Sequence, residues 1–405
     1  MTSANPYRAD FPALSQTING HPLAYLDSGA SALKPRAVID AMSDFMATDY
    51  ANVHRGIHTL SQRASERYEA TRETVRAFIN AQYEDEIVFT RGATESINLV
   101  AQTWGKKFLK SGDEVVITAL EHHANIVPWQ MLRDEIGIVL RVVPITPQGE
   151  IDIEDFKKAL SSHTKLAAFA HVSNVLGTVL PIKEMASLAH NAGAMVLVDG
   201  CQAVSHMPVD VQDLDADFYV FSAHKLYGPT GIGVLYGKRN ILSQMPPYQG
   251  GGDMIENVTF EKTVYKEPPY RFEAGTPPIT EAIGLACAIK YLSTIGMENI
   301  AKHEHDILSY AEGRLAKIEG LRIIGQAINK SGIVSFVMEQ AHPHDIGTVL
   351  DKFGVAVRAG HHCAQPLMDS LDLPATARAS FGIYTSKEDI DALITGIEKV
   401  KEVFG

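Results

Sequence analysis

Short apolar, β-branched runs alternate with longer stretches of mixed polarity through the first two-thirds of the chain. EIVFT (86–90), EVVIT (114–118), IVLRVVP (138–144), KLAAFAHV (165–172), MVLVD (195–199) and DFYVFS (217–222) predict buried strands. Continuous apolar runs of this length suit a sheet covered on both faces. Between them, TESINLVAQTWGKKFLK (94–110) and IKEMASLAHNAG (182–193) carry apolar residues at helical spacing. Strand and helix in this rhythm predict an α/β fold with a mostly parallel sheet, whose sites gather beyond the carboxyl ends of its strands. Attention therefore falls on Arg91 to Thr94, Glu121 to His123, Ser173-Asn174, Asp199 to Gln202, and Ser222 to Lys225.

The pattern changes at 246–280, where PPYQGGGDMIENVTFEKTVYKEPPYRFEAGTPP predicts a long irregular segment rich in Gly and Pro, of the kind that more often carries function than not. ITEAIGLACAIKYLSTIG (279–296) predicts a helix, with Cys287 as core. Beyond about 300 the strands are fewer, IVSFVM and GVAVR among them. The chain ends in the amphipathic SKEDIDALITGIEKVKEVF, so this part reads as a second, smaller α+β domain. We expect a large domain over 26–295, and a small one assembled from 1–25 and 296–405.

Composition narrows the function. A chain of 405 residues suits two such domains. A net charge of −12 disfavours a polyphosphate partner, so no nucleic-acid binding is expected. No apolar run approaches the ~20 residues of a membrane span. MTSANPYRADFPAL lacks the apolar core of a signal peptide. The three cysteines, at 201, 287 and 363, are too scattered to suggest a disulfide framework. A reducing cytoplasm is the expected location.

The chemistry lies in Asp199-Gly200-Cys201-Gln202 and, one strand later, Ser222-Ala223-His224-Lys225. A strand-end lysine among small and polar residues can form a Schiff base with an aldehyde cofactor. An aspartate at the neighbouring strand end can pair with a pyridinium nitrogen and keep the ring an electron acceptor. Taken singly, each residue reads as well as a turn cap or a surface charge; their order and spacing favour the pair. Gly92-Ala93-Thr94-Glu95 stands where a strand gives way to a helix, a place whose free N–H groups cradle phosphate, although a threonine there also serves as a plain helix cap. Cys201, close to the aspartate, reads as a small buried packing residue.

RAGHHCAQP (358–366) allows three readings of Cys363: metal ligand, buried filler, or nucleophile on a movable loop. Consecutive His361, His362 and Cys363 diverge, unlike spaced zinc ligands, so no metal site is expected. No apolar periodicity supports a filler. Gly360 behind and Pro366 ahead suit a hinged loop, and His361, His362 and Arg358 are candidates to lower the thiol pKa.

With these motifs assembled, the chain resembles the fold-type I pyridoxal-5′-phosphate enzymes of aminotransferase class V. Within them it is most similar to the SUF-type (group II) cysteine desulfurases, a group that includes selenocysteine lyase activity. The resemblance runs from RADFPALSQTINGHPLAYLDSGAS through HRGIHTLS, EHHANIVPWQ, HVSNVLGT, VDGCQAV, FSAHKLYGPTGIG, RFEAGTP and RAGHHCAQPLM to the final helix. Gly29 and Cys201 stand where the family would have small residues such as Ala.

The resemblance implies a mostly parallel seven-stranded sheet in the large domain and pyridoxal 5′-phosphate as cofactor. Lys225 would hold it covalently, Asp199 would pair with the ring nitrogen, Gln202 would contact the ring hydroxyl, and His122 would stack on the ring and shuttle protons. Thr94, Ala93, Ser222 and His224 would bind its phosphate. Thr276 would reach the phosphate of the other subunit in a homodimer. Asn174 and Arg378 match contacts to the substrate carboxylate, and Arg358 would position substrate or loop. The implied reaction takes L-cysteine to L-alanine with a persulfide on Cys363, supplying sulfur for iron–sulfur cluster assembly through an acceptor of SufE or SufU type. Selenocysteine lyase or another β-elimination on the same site is the alternative, and a non-enzymatic carrier that keeps the fold is a second. His54 and Arg55 read as site-rim residues. His342-Pro343-His344 reads as a loop before a helix, or else as a contact for a zinc-bearing acceptor.

Overall fold

The computed structural model describes residues 5–405, so the first four residues of the N-terminal stretch lie outside the described residues. The apolar runs form β1 Ile87–Thr90, β2 Glu114–Thr118, β3 Val139–Val143, β4 Thr164–Ala170, β5 Met195–Asp199 and β6 Phe218–Ser222. A further strand, β7 Gly233–Gly237, completes a seven-stranded sheet in the order β1-β7-β6-β5-β4-β2-β3. Strands β2 to β6 are joined by parallel pairings, and β7 runs antiparallel to both β1 and β6.

Alternate residues of one strand enter opposite apolar layers. Tyr219 and Phe221 join one core, while Phe218 and Val220 join the other. Burial on both faces explains why these strands read as continuous apolar runs. β3 corrects that expectation, because as the edge strand it leaves Val139 and Val142 exposed. β7 escaped notice because glycines bracket its short run and read as turn signals. The glycine at 233 is required: a Cβ there would stand 2.4 Å from the Gly92 Cα.

Helices α1 Arg36–Thr48, α2 Thr59–Phe78, α3 Ala93–Val100, α4 Ile182–Asn191 and α5 Ile279–Ile295 belong to this part of the chain. The segment expected to be irregular carries a hairpin, β8 Ile255–Val258 with β9 Thr263–Tyr265. Cys287 is half-buried rather than core, its thiol donating to the Ala37 carbonyl at 3.3 Å. No single described helix is long and apolar enough to cross a membrane; α5 and the following α6 Met297–Leu315 reach that length together but bend by 77°.

The C-terminal part builds an antiparallel sheet from β10 Leu321–Ile324, β11 Ile333–Met338, β12 Arg358–Gly360 and β13 Thr376–Ser380, ordered β10-β11-β13-β12. Helices α6, α7 Pro343–Lys352 and α9 Lys387–Phe404 contribute to its apolar core, and the short α8 Gln365–Ser370 follows the cysteine. The run GVAVR is two elements: Val355–Ala356 pairs in parallel with Ala24–Tyr25, and Arg358 opens β12. That pairing and an Arg8–Asp389 ion pair at 2.8 Å attach the N-terminal segment to the C-terminal part.

Candidate active site

One cavity lies where the carboxyl ends of β5 and β6 meet the small sheet. Asp199, Ser222, His224 and Lys225 line it from these strand ends, with Ala93, Thr94 and His122 beside them. Asn174, Arg358, His362 and Arg378 face them from the other side. Asp199, Cys201, Ser222, His224 and Lys225 from the ends of β5 and β6 thus meet α3 and the small sheet in one place, while Gln202 is buried outside the lining.

The strand-end wall is held by short hydrogen bonds. Asp199 ends β5 and accepts from the Cys201 N–H at Oδ1, 3.0 Å. Lys225 closes a single turn after β6. The Ser222 hydroxyl accepts from the Ala93 N–H at 2.8 Å, joining β6 to the start of α3. Gln202 donates to the Gly29 carbonyl at 2.8 Å, while its Oε1 is buried without a partner among the described residues. A buried orphan acceptor is costly unless something donates to it.

Electrostatics separate the groups. Burial, then the charge of Lys225, lowers His122 to about 4, so its ring is neutral. The Ala124 N–H donates to His122 Nδ1 at 3.1 Å, which leaves the ring proton on Nε2. His224 is likewise lowered to about 4 by burial and then by Lys225. Burial and the neighbouring Asp199 push the Cys201 thiol up to about 12, so it stays protonated and inert.

The turn bearing His122 is fixed from beneath by Glu121, a residue whose part sequence reasoning missed. Its buried carboxyl accepts from the Thr118 hydroxyl at 2.5 Å, Asn125 Nδ2 at 2.7 Å and the Ala170 N–H at 3.1 Å. Burial raises it to about 7. Its signal was its place at the end of a strand.

On the other wall, Arg358 and Arg378 stand directly opposite each other on β12 and β13. Like charges in cross-strand register are unfavourable and find their best use around an anion. Arg378 is buried, donating to the Asn174 carbonyl at 2.7 Å and to Asp27 at 3.1 Å, with Nε unpartnered among the described residues. Asp27, another residue missed in the sequence although it sits in LDSGAS, is pushed up by burial.

Cys363 follows β12 on a loop in which His362 and Cys363 both take left-handed backbone, φ 54° and 58°. Two such residues cost roughly 1–2 kcal/mol each, so the loop needs tethers. Asn174 Nδ2 donates to the His362 carbonyl at 2.7 Å, and the His123 N–H donates to the Cys363 carbonyl at 2.7 Å. Arg358 Nη2 lies 3.7 Å from the Cys363 Sγ and places a positive charge beside it. His362 does not share that task. His362 is buried against Thr376 and lowered to about 3 by burial, so it is neutral, and His361 is exposed.

Other candidates stand apart. Thr276 is exposed and does not line the cavity of its own chain. His54 pairs with Glu69 at 2.7 Å and Arg55 with Asp253 at 2.5 Å, both away from the lining. His342 caps α7 through its own ring.

The chain matches the aminotransferase class-V family model over residues 24–393. It is 52% identical over 403 residues to a probable cysteine desulfurase of Halalkalibacterium halodurans, covering 100% of this chain and 99% of the relative. It is 51% identical over 404 residues to a cysteine desulfurase of Escherichia coli (strain K12 / DH10B), again covering 100% and 99%. Among solved structures, the cysteine desulfurase CsdA of Escherichia coli, in an S-sulfonic acid form, superposes with a TM-score of 0.92 at 40% identity over 98% of each chain. The apo cysteine desulfurase of Thermococcus onnurineus NA1 also gives 0.92 at 40% identity, over 97% of each.

Proposed function

The chain belongs to the aminotransferase class-V family, and from that membership and its cavity we propose that it is a pyridoxal-5′-phosphate-dependent cysteine desulfurase. It converts L-cysteine to L-alanine and leaves the sulfur on Cys363 as a persulfide. The observation that carries this reading is the Cys363 thiol, 3.7 Å from Arg358, on a loop joined to the cavity that Lys225 and Asp199 line.

The residues fit the cofactor. Lys225 supplies the amine for its aldehyde, Asp199 a carboxylate for its ring nitrogen, and the orphaned Gln202 a buried partner for its ring hydroxyl. Thr94, Ala93, Ser222 and His224 surround the α3 N-terminus, where a phosphate is favoured. When bound, the cofactor supplies an electron sink for the substrate's α-carbon.

Lys225 moves the substrate's α-proton, and neutral His122, protonated at Nε2, exchanges a proton beside it. Arg378 and Asn174 hold the substrate carboxylate, with Arg358 beside them. The Cys363 thiolate takes the sulfur of L-cysteine: an S–S bond forms, a C–S bond breaks, and the thiol proton balances the alanine that leaves. No outside oxidant is needed.

A second copy of the chain completes the enzyme, its Thr276 reaching the neighbouring phosphate; the exposed position of Thr276 supports this. An acceptor of SufE or SufU type then collects the persulfide for iron–sulfur cluster assembly in the cytoplasm. The chain divides into 26–295 and 1–25 with 296–405, which the separate seven- and four-stranded sheets support.

Mass spectrometry after brief exposure to L-cysteine tests the function. One added sulfur on Cys363 with matching alanine is expected. Full alanine and sulfide release by Cys363→Ala would instead favour β-elimination or selenocysteine lyase chemistry.

A further inference from the structure

The adjacent histidines His122 and His123 do different things, and His123 has no part in the function proposed above. Its ring Nε2 accepts from the Gln365 N–H at 2.9 Å, and its own N–H donates to the Cys363 carbonyl at 2.7 Å. The residue therefore grips the backbone at the cysteine and two residues beyond it. Since an N–H supplies the proton to Nε2, the ring hydrogen of His123 sits on Nδ1, the opposite tautomer to His122. Gln365 opens α8, so His123 also satisfies one of that helix's free amides.

This grip falls where the backbone resists its shape. His362 and Cys363 are consecutively left-handed, a conformation ordinary side chains keep only when the surroundings hold it. Asn174 holds the His362 carbonyl, before the thiol-bearing residue; His123 holds the cysteine itself and the segment after it. The turn that carries His123 is stiff, because Glu121 and Asn125 bind each other within it and Asn125 in turn accepts from the Trp129 indole at 3.0 Å.

We propose that His123 is a positioning residue: a latch that holds the Cys363 loop with its thiol toward the cavity, and whose release presents the loaded sulfur to an acceptor protein. The inference rests on the reading that Cys363 accepts the sulfur. The latch adds no chemistry to that transfer.

Holoenzyme carrying His123→Ala or His123→Gln tests it, since glutamine places an amide oxygen near the position of Nε2 and keeps the acceptor. Three quantities are measured: alkylation of Cys363 by iodoacetamide, persulfide on Cys363 after one turnover of L-cysteine, and visible absorbance of bound cofactor. His123→Ala should be alkylated about tenfold faster and form about tenfold less persulfide, the scale of one lost hydrogen bond with the loop's strain released. Its absorbance should be unchanged, and His123→Gln should return both rates to within roughly threefold of wild type. Should His123→Ala fail to fold, His123→Leu, similar in bulk and without an acceptor, gives the same comparison. Equal alkylation of wild type and the acceptor-less variant, or a glutamine variant as impaired as alanine, overturns the latch. Absence of persulfide in wild type would overturn the desulfurase reading instead, and the alkylation rates would still judge the latch.

Discussion

The two walls of the cavity are built by opposite means. Asp199 and Lys225 stand at the ends of buried strands, where register with neighbours on both sides fixes the backbone. Cys363 stands on a short loop in an unfavourable conformation, held by residues from distant parts of the chain: Asn174, His123 and, through its contact with His362, Thr376. A group that must hold one geometry through every turnover gains from the strands. On the proposed function, a group that takes sulfur in one place and surrenders it elsewhere gains from a loop whose hold can be undone.

That contrast can be broken from either side. Lys225→Ala should have the largest effect, cutting alanine formation from L-cysteine by a factor of roughly 10³ or more, with loss of the visible band of bound cofactor. Cys363 alkylation should not change; if it does, the two walls are not separately built.

Acid should loosen both walls, because each contains a buried neutral histidine. His171, bonded to Tyr219 behind Asp199, is lowered by burial to about 4, and His362 in the loop to about 3. The unfolded chain takes up these protons near pH 6.5, the folded chain only below about pH 4. Their contribution is therefore whole above about pH 6.5 and is lost as pH falls toward 4. His171 alone accounts for roughly 3 kcal/mol by pH 4. Thermal melts from about pH 7 to about pH 4 should show the loss, and His171→Asn should flatten it; an unaltered slope would remove this histidine from the account.

Arg378 ties the small sheet to the rest of the chain, bonded to Asn174 and to Asp27. Arg378→Gln should raise KM for L-cysteine by roughly ten- to a hundredfold, as expected on losing a charge-assisted bond to a carboxylate. A KM unchanged to within twofold would take the carboxylate contact elsewhere. Gly233→Ala is the mildest probe of the strand side. Its Cβ would meet the Gly92 backbone at 2.4 Å, displacing the turn before α3 at a cost of about 1–3 kcal/mol. Cofactor titration should show weaker retention, again with Cys363 alkylation unaltered.

The strand-end chemistry was legible because it is local. MVLVD and DFYVFS announce strands by composition, and Asp199 and Lys225 follow them within a few residues. The roles of Glu121, Asp27 and Gly233 were illegible because their reasons are non-local: a carboxyl satisfied by Ala170, an ion pair with Arg378, a backbone contact with Gly92. The histidines of the cysteine loop show the same limit. Their proximity to Cys363 in sequence suggested charge, yet His362 turns inward to Thr376, while His123, remote in sequence, grips the loop.

The sequence by itself determined the α/β rhythm and the order of the polar residues at the strand ends, since each rests on residue type and short spacing, and it singled out Cys363 as the candidate thiol through its family resemblance. Only the tertiary structure decided which charges face each other, which histidines are neutral, and what holds Cys363 against its own backbone preference. Burial and long-range hydrogen bonds set those properties, and both exist only once distant segments have met.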